Sequence, residues 1–222
     1  LTNWRPNADA TVNTIVATGS TVYLGGVFSK VQLQQRTRAA AVDAQTAAIK
    51  PWAPQVEGGT VSTMVVSPQE DKVVLGGNFT SLNTGRPSAT SGAGTSTPTR
   101  GMGAVDTVEG QSMPWAASST IRNGGKRASI TSLSGDDTSV YGAGYENSAS
   151  KDGNLEGTFR ARWSDGVLEW LSDCHGDSYS IAPAGNTIYV ANHAHFCGNL
   201  AGGGPGNFQM PDKYYRANAL TK

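Results

Sequence analysis

Four short segments of this sequence read alike, and that repetition limits what the chain can fold into. They are Val22-Tyr23-Leu24-Gly25-Gly26-Val27-Phe28, Val73-Val74-Leu75-Gly76-Gly77-Asn78-Phe79, Val140-Tyr141-Gly142-Ala143-Gly144-Tyr145 and Ile188-Tyr189-Val190-Ala191-Asn192-His193. Each follows a polar turn signal: Gly19-Ser20, Gln69-Glu70-Asp71, Gly135-Asp136-Asp137 and Gly185-Asn186. Each is preceded by an alternating stretch: Val12 to Ala17, Val61 to Val66, Ser129 to Leu133 and Ser178 to Ile181. Two β-prone runs around a short polar turn predict a hairpin, so the chain is expected to carry four of them.

Each unit continues with a third element: Arg38-Ala39-Ala40-Ala41-Val42-Asp43, Arg100-Gly101-Met102-Gly103-Ala104-Val105-Asp106, Phe159-Arg160-Ala161-Arg162-Trp163-Ser164-Asp165 and Tyr215-Arg216-Ala217-Asn218-Ala219-Leu220. A turn and a fourth run ending in Trp follow in three units, at Trp52, Trp115 and Trp170. With Trp4, these tryptophans are spaced by 48, 63 and 55 residues. Four strands per unit at a period of about 40–60 residues predict the blades of a β-propeller rather than a sandwich. The double Gly would let neighbouring backbones approach closely.

The expected fold is therefore all-β: one propeller domain over 1–222, of four-stranded antiparallel blades. Blade 1 spans 12–54, blade 2 spans 61–117, blade 3 spans 129–171 and blade 4 spans 178–222. Trp4-Arg5-Pro6 parallels Trp52-Ala53-Pro54, and the last unit has no Trp run of its own. Residues 1–7 are thus expected to supply the fourth strand of the closing blade, or the chain is part of a larger propeller.

Composition excludes some functions. Lys and Arg number 17, as do Asp and Glu, and the longest basic cluster is Gly125-Lys126-Arg127. No concentrated positive surface for nucleic acid is implied. No run approaches the ~20 apolar residues of a membrane-spanning helix. The 28 Gly and 10 Pro suit many short strands joined by tight turns. Two cysteines among Asn/Ser/Thr-rich loops suggest an extracellular or cell-surface chain with one disulfide; two buried thiols in a cytosolic protein are the alternative.

The combination Val-Tyr-Leu-Gly-Gly-x-Phe, Arg-x-Ala-Ala-Val-Asp and Pro-Trp-x-Pro resembles the kelch-like (delta-sixty type) repeats of secreted actinobacterial proteins. The resemblance covers nearly the whole chain and implies a propeller and secretion, but little about activity. Blade 2 departs from the pattern with a Ser/Thr/Gly-rich insert from Ser88 to Thr99. Blade 3 lacks the Gly-Gly pair and inserts Glu146 to Glu156.

Chemistry concentrates in the last unit, which holds all three histidines and both cysteines. Cys174 precedes its first strand and Cys197 follows its second, so a disulfide across the open end of that hairpin is expected, contributing about 3 kcal/mol. His193 and His195 alternate along a strand and face one way. His175 and Asp177 approach from the neighbouring strand, making a candidate set for zinc or another transition metal. Asp136, Asp137, Asp152 and Glu156 raise calcium as a second divalent possibility, but without a recognised loop spacing they read as turn residues. Asp165 and Glu169, near Trp163 and Trp170, read as decoration of one turn and its strand rather than as a glycosidase pair. Tyr145, Tyr179, Phe196, Tyr214 and Tyr215, flanked by Asn, Gly and Asp, suit stacking on sugars. The leading expectation is a binding or structural module for a glycan, polymer or protein partner that needs no cofactor. The alternatives are a metal-dependent extracellular enzyme using His175, His193 and His195, and a structural subunit of a larger assembly.

Overall fold

The computed structural model describes residues 2–83, 99–147, 152–173, 175–194 and 215–222. In chain order its elements are β1 (Val12–Ala17), β2 (Thr21–Gly26), β3 (Lys30–Val31), β4 (Gln34–Gln35), β5 (Ala39–Asp43), β6 (Val56–Glu57), β7 (Val61–Val66), β8 (Lys72–Gly77), β9 (Ser81–Leu82), β10 (Met102–Asp106), β11 (Ser112–Met113), α1 (Ala117–Thr120), β12 (Ala128–Gly135), β13 (Ser139–Glu146), β14 (Gly157–Arg162), β15 (Leu168–Asp173), β16 (Ser178–Ala184), β17 (Thr187–Ala194) and β18 (Tyr215–Thr221). Apart from the single turn of α1, the regular structure of the described residues is β.

Four antiparallel sheets follow one another along the chain: β1-β2-β5, β7-β8-β10-β11, β12-β13-β14-β15 and β16-β17-β18. Two short ribbons, β3-β4 and β6-β9, flank them. All four expected hairpins form, each joined to its expected third strand. The fourth strand varies. In the first sheet it shrinks to a bridge between Val42 and Ile49. In the second it is the two-residue β11, which ends before Trp115, and in the third it is the full β15, which contains Trp170. The fourth sheet has three strands among the described residues. Residues 2–7 form no strand. Trp4 is fastened to the first sheet instead, its indole N–H donating to the Asp43 carbonyl at 3.1 Å. Trp52 makes the same bond one sheet later, to the Asp106 carbonyl at 2.7 Å.

The repeat holds at the level of single backbone bonds. Gly26 N–H donates to the Arg38 carbonyl, and Gly77 N–H to the Gly101 carbonyl. Arg38 N–H donates to Phe28 and Gly101 N–H to Phe79. Arg38 and Gly101 both take a left-handed backbone, at φ 64° and 77°. Asp43 and Asp106, which close the third strand, turn their carboxylates onto the next backbone N–H groups: Gln45 and Thr46 in one unit, Val108, Glu109 and Gly110 in the other. An Asp at a strand end competes for backbone donors in this way and fixes the turn that follows.

Successive sheets pack face to face, with β1, β7, β12 and β16 against one another in chain order. One core joins Tyr23, Ala39 and Ala41 of the first sheet to Val61, Met64, Val73 and Leu75 of the second. A second joins Val74, Met102 and Ala104 to Ile130, Leu133, Val140 and Phe159. A third joins Tyr141 and Ala143 to Ile181, Ile188 and Val190. The small residues of the repeat lie at these junctions. A Cβ added to Gly25 would lie 2.6 Å from Val61, and one added to Gly76 2.8 Å from Ile130. The first glycine of each pair thus makes room for a side chain of the next sheet, while the second, Gly26 or Gly77, lies against the Thr11 or Thr60 carbonyl before its own first strand, so the close backbone approach expected of the pair falls within a unit and not between units. No helix among the described residues is long and apolar enough to cross a membrane.

Candidate functional site

Antiparallel strands return to the same edge of a sheet, so the end of one lies beside the start of the next. At one edge of the third and fourth sheets this brings together the end of β13, the start of β14, the end of β15 and the entry to β16. Gly144 pairs with Gly157, and Gly157 with Asp173. The sequence places an acid at or beside each of these strand ends: Glu146, Glu156, Asp173 and Asp177. A cleft of about 470 Å³ opens there, lined by Lys126, Arg127, Tyr145, Glu146, Asn147, Glu156 and Asp177.

The cleft is held by the buried Asn123. Its side-chain oxygen accepts the N–H groups of Asn154 and Leu155 at 2.9 and 3.0 Å, and its amide donates to the carbonyls of Leu155 and Tyr145 at 2.6 and 3.1 Å. One side chain thus ties the segment before Glu156 to the end of β13. Gly125, at φ 136°, lets the Lys126-Arg127 turn pass close to Asp152, whose carboxyl carbon would lie 2.5 Å from a Cβ there. Asp152 in turn accepts the Arg127 N–H at 3.2 Å.

Electrostatics separate this site from the rest of the surface. Burial raises the Glu156 carboxyl, and the nearby carboxylates of Asp177, Asp173 and Glu146 add to the rise; His175 opposes it, and the result is about 7. Glu146 is raised for the same reasons, burial first and then Asp173, again with His175 opposing. Clustered acids that cannot all ionise share protons, so the group keeps a proton near neutral pH. At that pH the cleft offers carboxylate acceptors, a protonated carboxyl donor, an amide and two cationic donors.

Three residues singled out from the sequence meet here: Tyr145, Asp177 and Glu156. Tyr179 and His193 lie alongside on the fourth sheet. The Tyr179 hydroxyl lies 2.6 Å from His193 Nδ1 and 3.5 Å from Asp177 Oδ2. His193 N–H donates to the Asp177 carbonyl, so the expected approach of the 175–177 segment to the His193 strand is present. Among the described residues, no group of three or more His, Cys, Asp or Glu is arranged to hold a metal ion. Cys174, His195, Cys197, Phe196 and Tyr214 lie outside the described residues, and Tyr215 is described only as backbone of β18.

The other acids raised from the sequence serve the scaffold. Asp136 accepts the Thr138 and Ser139 N–H groups, the Tyr141 hydroxyl and the Lys222 ammonium. Burial would raise its carboxyl, but these bonds, Lys222 foremost, outweigh it and hold the group far below the usual carboxylate range. Asp165 pairs with Arg162 at 2.8 Å and Glu169 with Arg160 at 2.6 Å, so they decorate one turn and its strand as expected. Glu146, Lys126, Arg127, Asn147 and Asn123 were not marked as functional by the sequence. No motif links them, because they come from separate segments. The only trace was that Glu146 and Glu156 bound the insert in the third unit. No protein family and no curated protein matches the chain.

Proposed function

We propose that this protein is an extracellular β-propeller of kelch-like blades that binds a hydroxyl-rich ligand, a glycan or related polymer, in the cleft at the edge of its third and fourth sheets. The propeller reading is supported by four sheets that succeed one another with their first strands packed in chain order. The cleft carries the functional reading. Its lining is mostly polar, mixes donors with acceptors and includes the Tyr145 ring, which suits the hydroxyl groups and faces of a sugar better than a lipid or an apolar cofactor. Tyr145 offers a ring against which a sugar face can rest, and Lys126 and Arg127 line the same cleft as Glu146 and Asp177, so cationic and anionic groups are both within reach of a ligand. Protonated Glu156 donates to a ligand oxygen that an ionised carboxylate would repel.

Calorimetric titration of the intact protein with a panel of neutral and amino-substituted oligosaccharides, below and above neutral pH, tests this reading. Binding is expected to weaken as Glu156 ionises. Glu156→Gln keeps a donor and is expected to bind with little pH dependence, whereas Tyr145→Ala loses binding. Saccharide binding untouched by Tyr145→Ala and Glu156→Ala would overturn the assignment. Zinc binding that requires His175 and His193, with hydrolytic activity, would favour a metal enzyme instead.

A further inference from the structure

At each of the three junctions between sheets a row in the same register faces the next sheet, and the two ends of the series leave equivalent positions exposed: Ile15 on the first sheet, whose neighbours Leu24 and Ala40 are buried with Phe28 and Val31, and the row around Tyr189 on the fourth. On the face of each sheet that looks towards the next, a row of paired residues crosses the strands. In the first sheet it is Val16, Tyr23 and Ala41. In the second it is Val65, Val74, Ala104 and Met113. In the third it is Ser134, Tyr141, Arg160 and Trp170. The corresponding row of the fourth sheet is Ala182, Tyr189 and Ala219. It repeats the tyrosine-centred row of the first sheet with Ala182 in place of Val16, yet Tyr189 is 55% exposed where Tyr23 is 3% exposed. Ala191, at the position of Gly25, Gly76 and Ala143, is exposed as well.

The opposite face shows the complement. Met64, Leu133 and Ile181 occupy one position on the first strands of the second, third and fourth sheets. They are 4%, 7% and 2% exposed because the preceding sheet covers them. Ile15 holds that position on the first sheet and is 59% exposed. The chain therefore presents a tyrosine-centred face on its fourth sheet and, on its first, the apolar knob that such faces receive at the other junctions. Among the described residues the two do not cover one another.

We infer that these faces form a head-to-tail interface between two copies of this chain, the fourth sheet of each copy receiving Ile15 of the other. Head-to-tail contacts close when the rotation between copies brings the second pair of faces together, and the dimer we infer is the case in which both pairs are used. Continuity with the three existing junctions, each filled by a first-strand apolar residue against the facing row, specifies the occupant as a sheet of the same repeat. The inference extends the propeller reading and is independent of the cleft's ligand. Saccharide binding measured on the same samples separates failure of one from failure of the other.

Native mass spectrometry and light scattering over a concentration series test it. The intact protein is expected to populate a species of twice the chain mass. Ile15→Lys and Tyr189→Lys, both at exposed positions that folding tolerates, are each expected to weaken that species by at least about tenfold. Mixing the two variants restores one intact junction, so a heterodimer of the two is expected to be tighter than either homodimer. A protein that stays monomeric at all concentrations overturns the inference. So does a dimer that Ile15→Lys leaves unchanged while Tyr189→Lys disrupts it, because that pattern means two fourth sheets facing each other.

Discussion

Single glycines show how closely the repeat is built. A Cβ on Gly77 would sit 2.0 Å from the Thr60 carbonyl oxygen, which is backbone and cannot step aside. Gly19, in the turn before β2, has nothing within 4 Å of that position. Gly77→Ala is expected to cost about 3 kcal/mol or more, by distortion of the β7–β8 pairing, and Gly19→Ala to fall within about 0.5 kcal/mol of the parent. Urea denaturation of the two variants checks this, and equal midpoints would contradict it. Asp136 is the other residue on which much depends, since it joins the β12–β13 turn to Tyr141 and, through Lys222, to the end of the fourth sheet. Its carboxyl titrates below its unfolded value near 3.8, so its contribution is complete above that range and is lost as the pH falls through the folded value. Asp136→Ala is expected to lower stability at neutral pH by about 2–3 kcal/mol. The same variant should flatten the loss of stability on acidification, read from melting temperatures below pH 4.

At the scale of elements, the strands were easier to read than the edge they build. First and second strands alternate or carry the Gly-Gly signature, and β1 and β7 begin and end where the alternation does. Trp marks the fourth strand correctly in the third sheet, where β15 contains Trp170, but not in the first two. Trp52 and Trp115 lie past the end of their sheets because the indole packs on the next unit, and the strand before it needs only one or two pairs. The cleft was legible only in pieces. Tyr145, Glu156 and Asp177 each stood out, but for stacking, calcium and transition-metal chemistry in turn. What unites them is the antiparallel return of strands to one edge, which no local spacing encodes. Asn123 sat in an Arg-Asn-Gly-Gly stretch that reads as an ordinary turn, and its four bonds become apparent only in three dimensions.

The acids at that edge make a prediction with a definite sign. Glu156 binds its proton more tightly folded than unfolded, so stability is highest below its unfolded value near 4.5 and falls as the pH rises towards about 7. Glu156→Gln removes that loss. It is expected to melt higher than the parent at pH 8 by about 2–4 °C, the size of a 1 kcal/mol effect in a chain of this length, and to match it at pH 4. A parent whose melting temperature rises steadily between those pH values, with no difference from the variant, would contradict the account.

The whole molecule is a series of sheets joined by repeated junctions, each filled from the same positions. Such a stack is stabilised by neighbour-to-neighbour contacts, so damage at one junction should stay local. Met64→Ala, between the first and second sheets, is expected to cost about 2–4 kcal/mol. Hydrogen exchange should rise at β1, β2, β7 and β8 while β16–β18 keep their protection; a uniform rise would mean one undivided cooperative unit. Against that regular scaffold, the third and fourth sheets depart from the pattern at one edge, and there the acids, the two cations and Tyr145 converge. The departure from the repeat marks the site, and the repeat supplies a rigid edge on which to hold it.

The most direct test of that site is to locate a bound saccharide on the molecule by NMR. Titration of the labelled protein with the tightest oligosaccharide is predicted to shift the resonances of Lys126, Arg127, Tyr145, Glu146 and Asn147, and the side-chain carboxyl of Glu156. Shifts confined to another surface, or binding that leaves those six residues unmoved, would contradict the account.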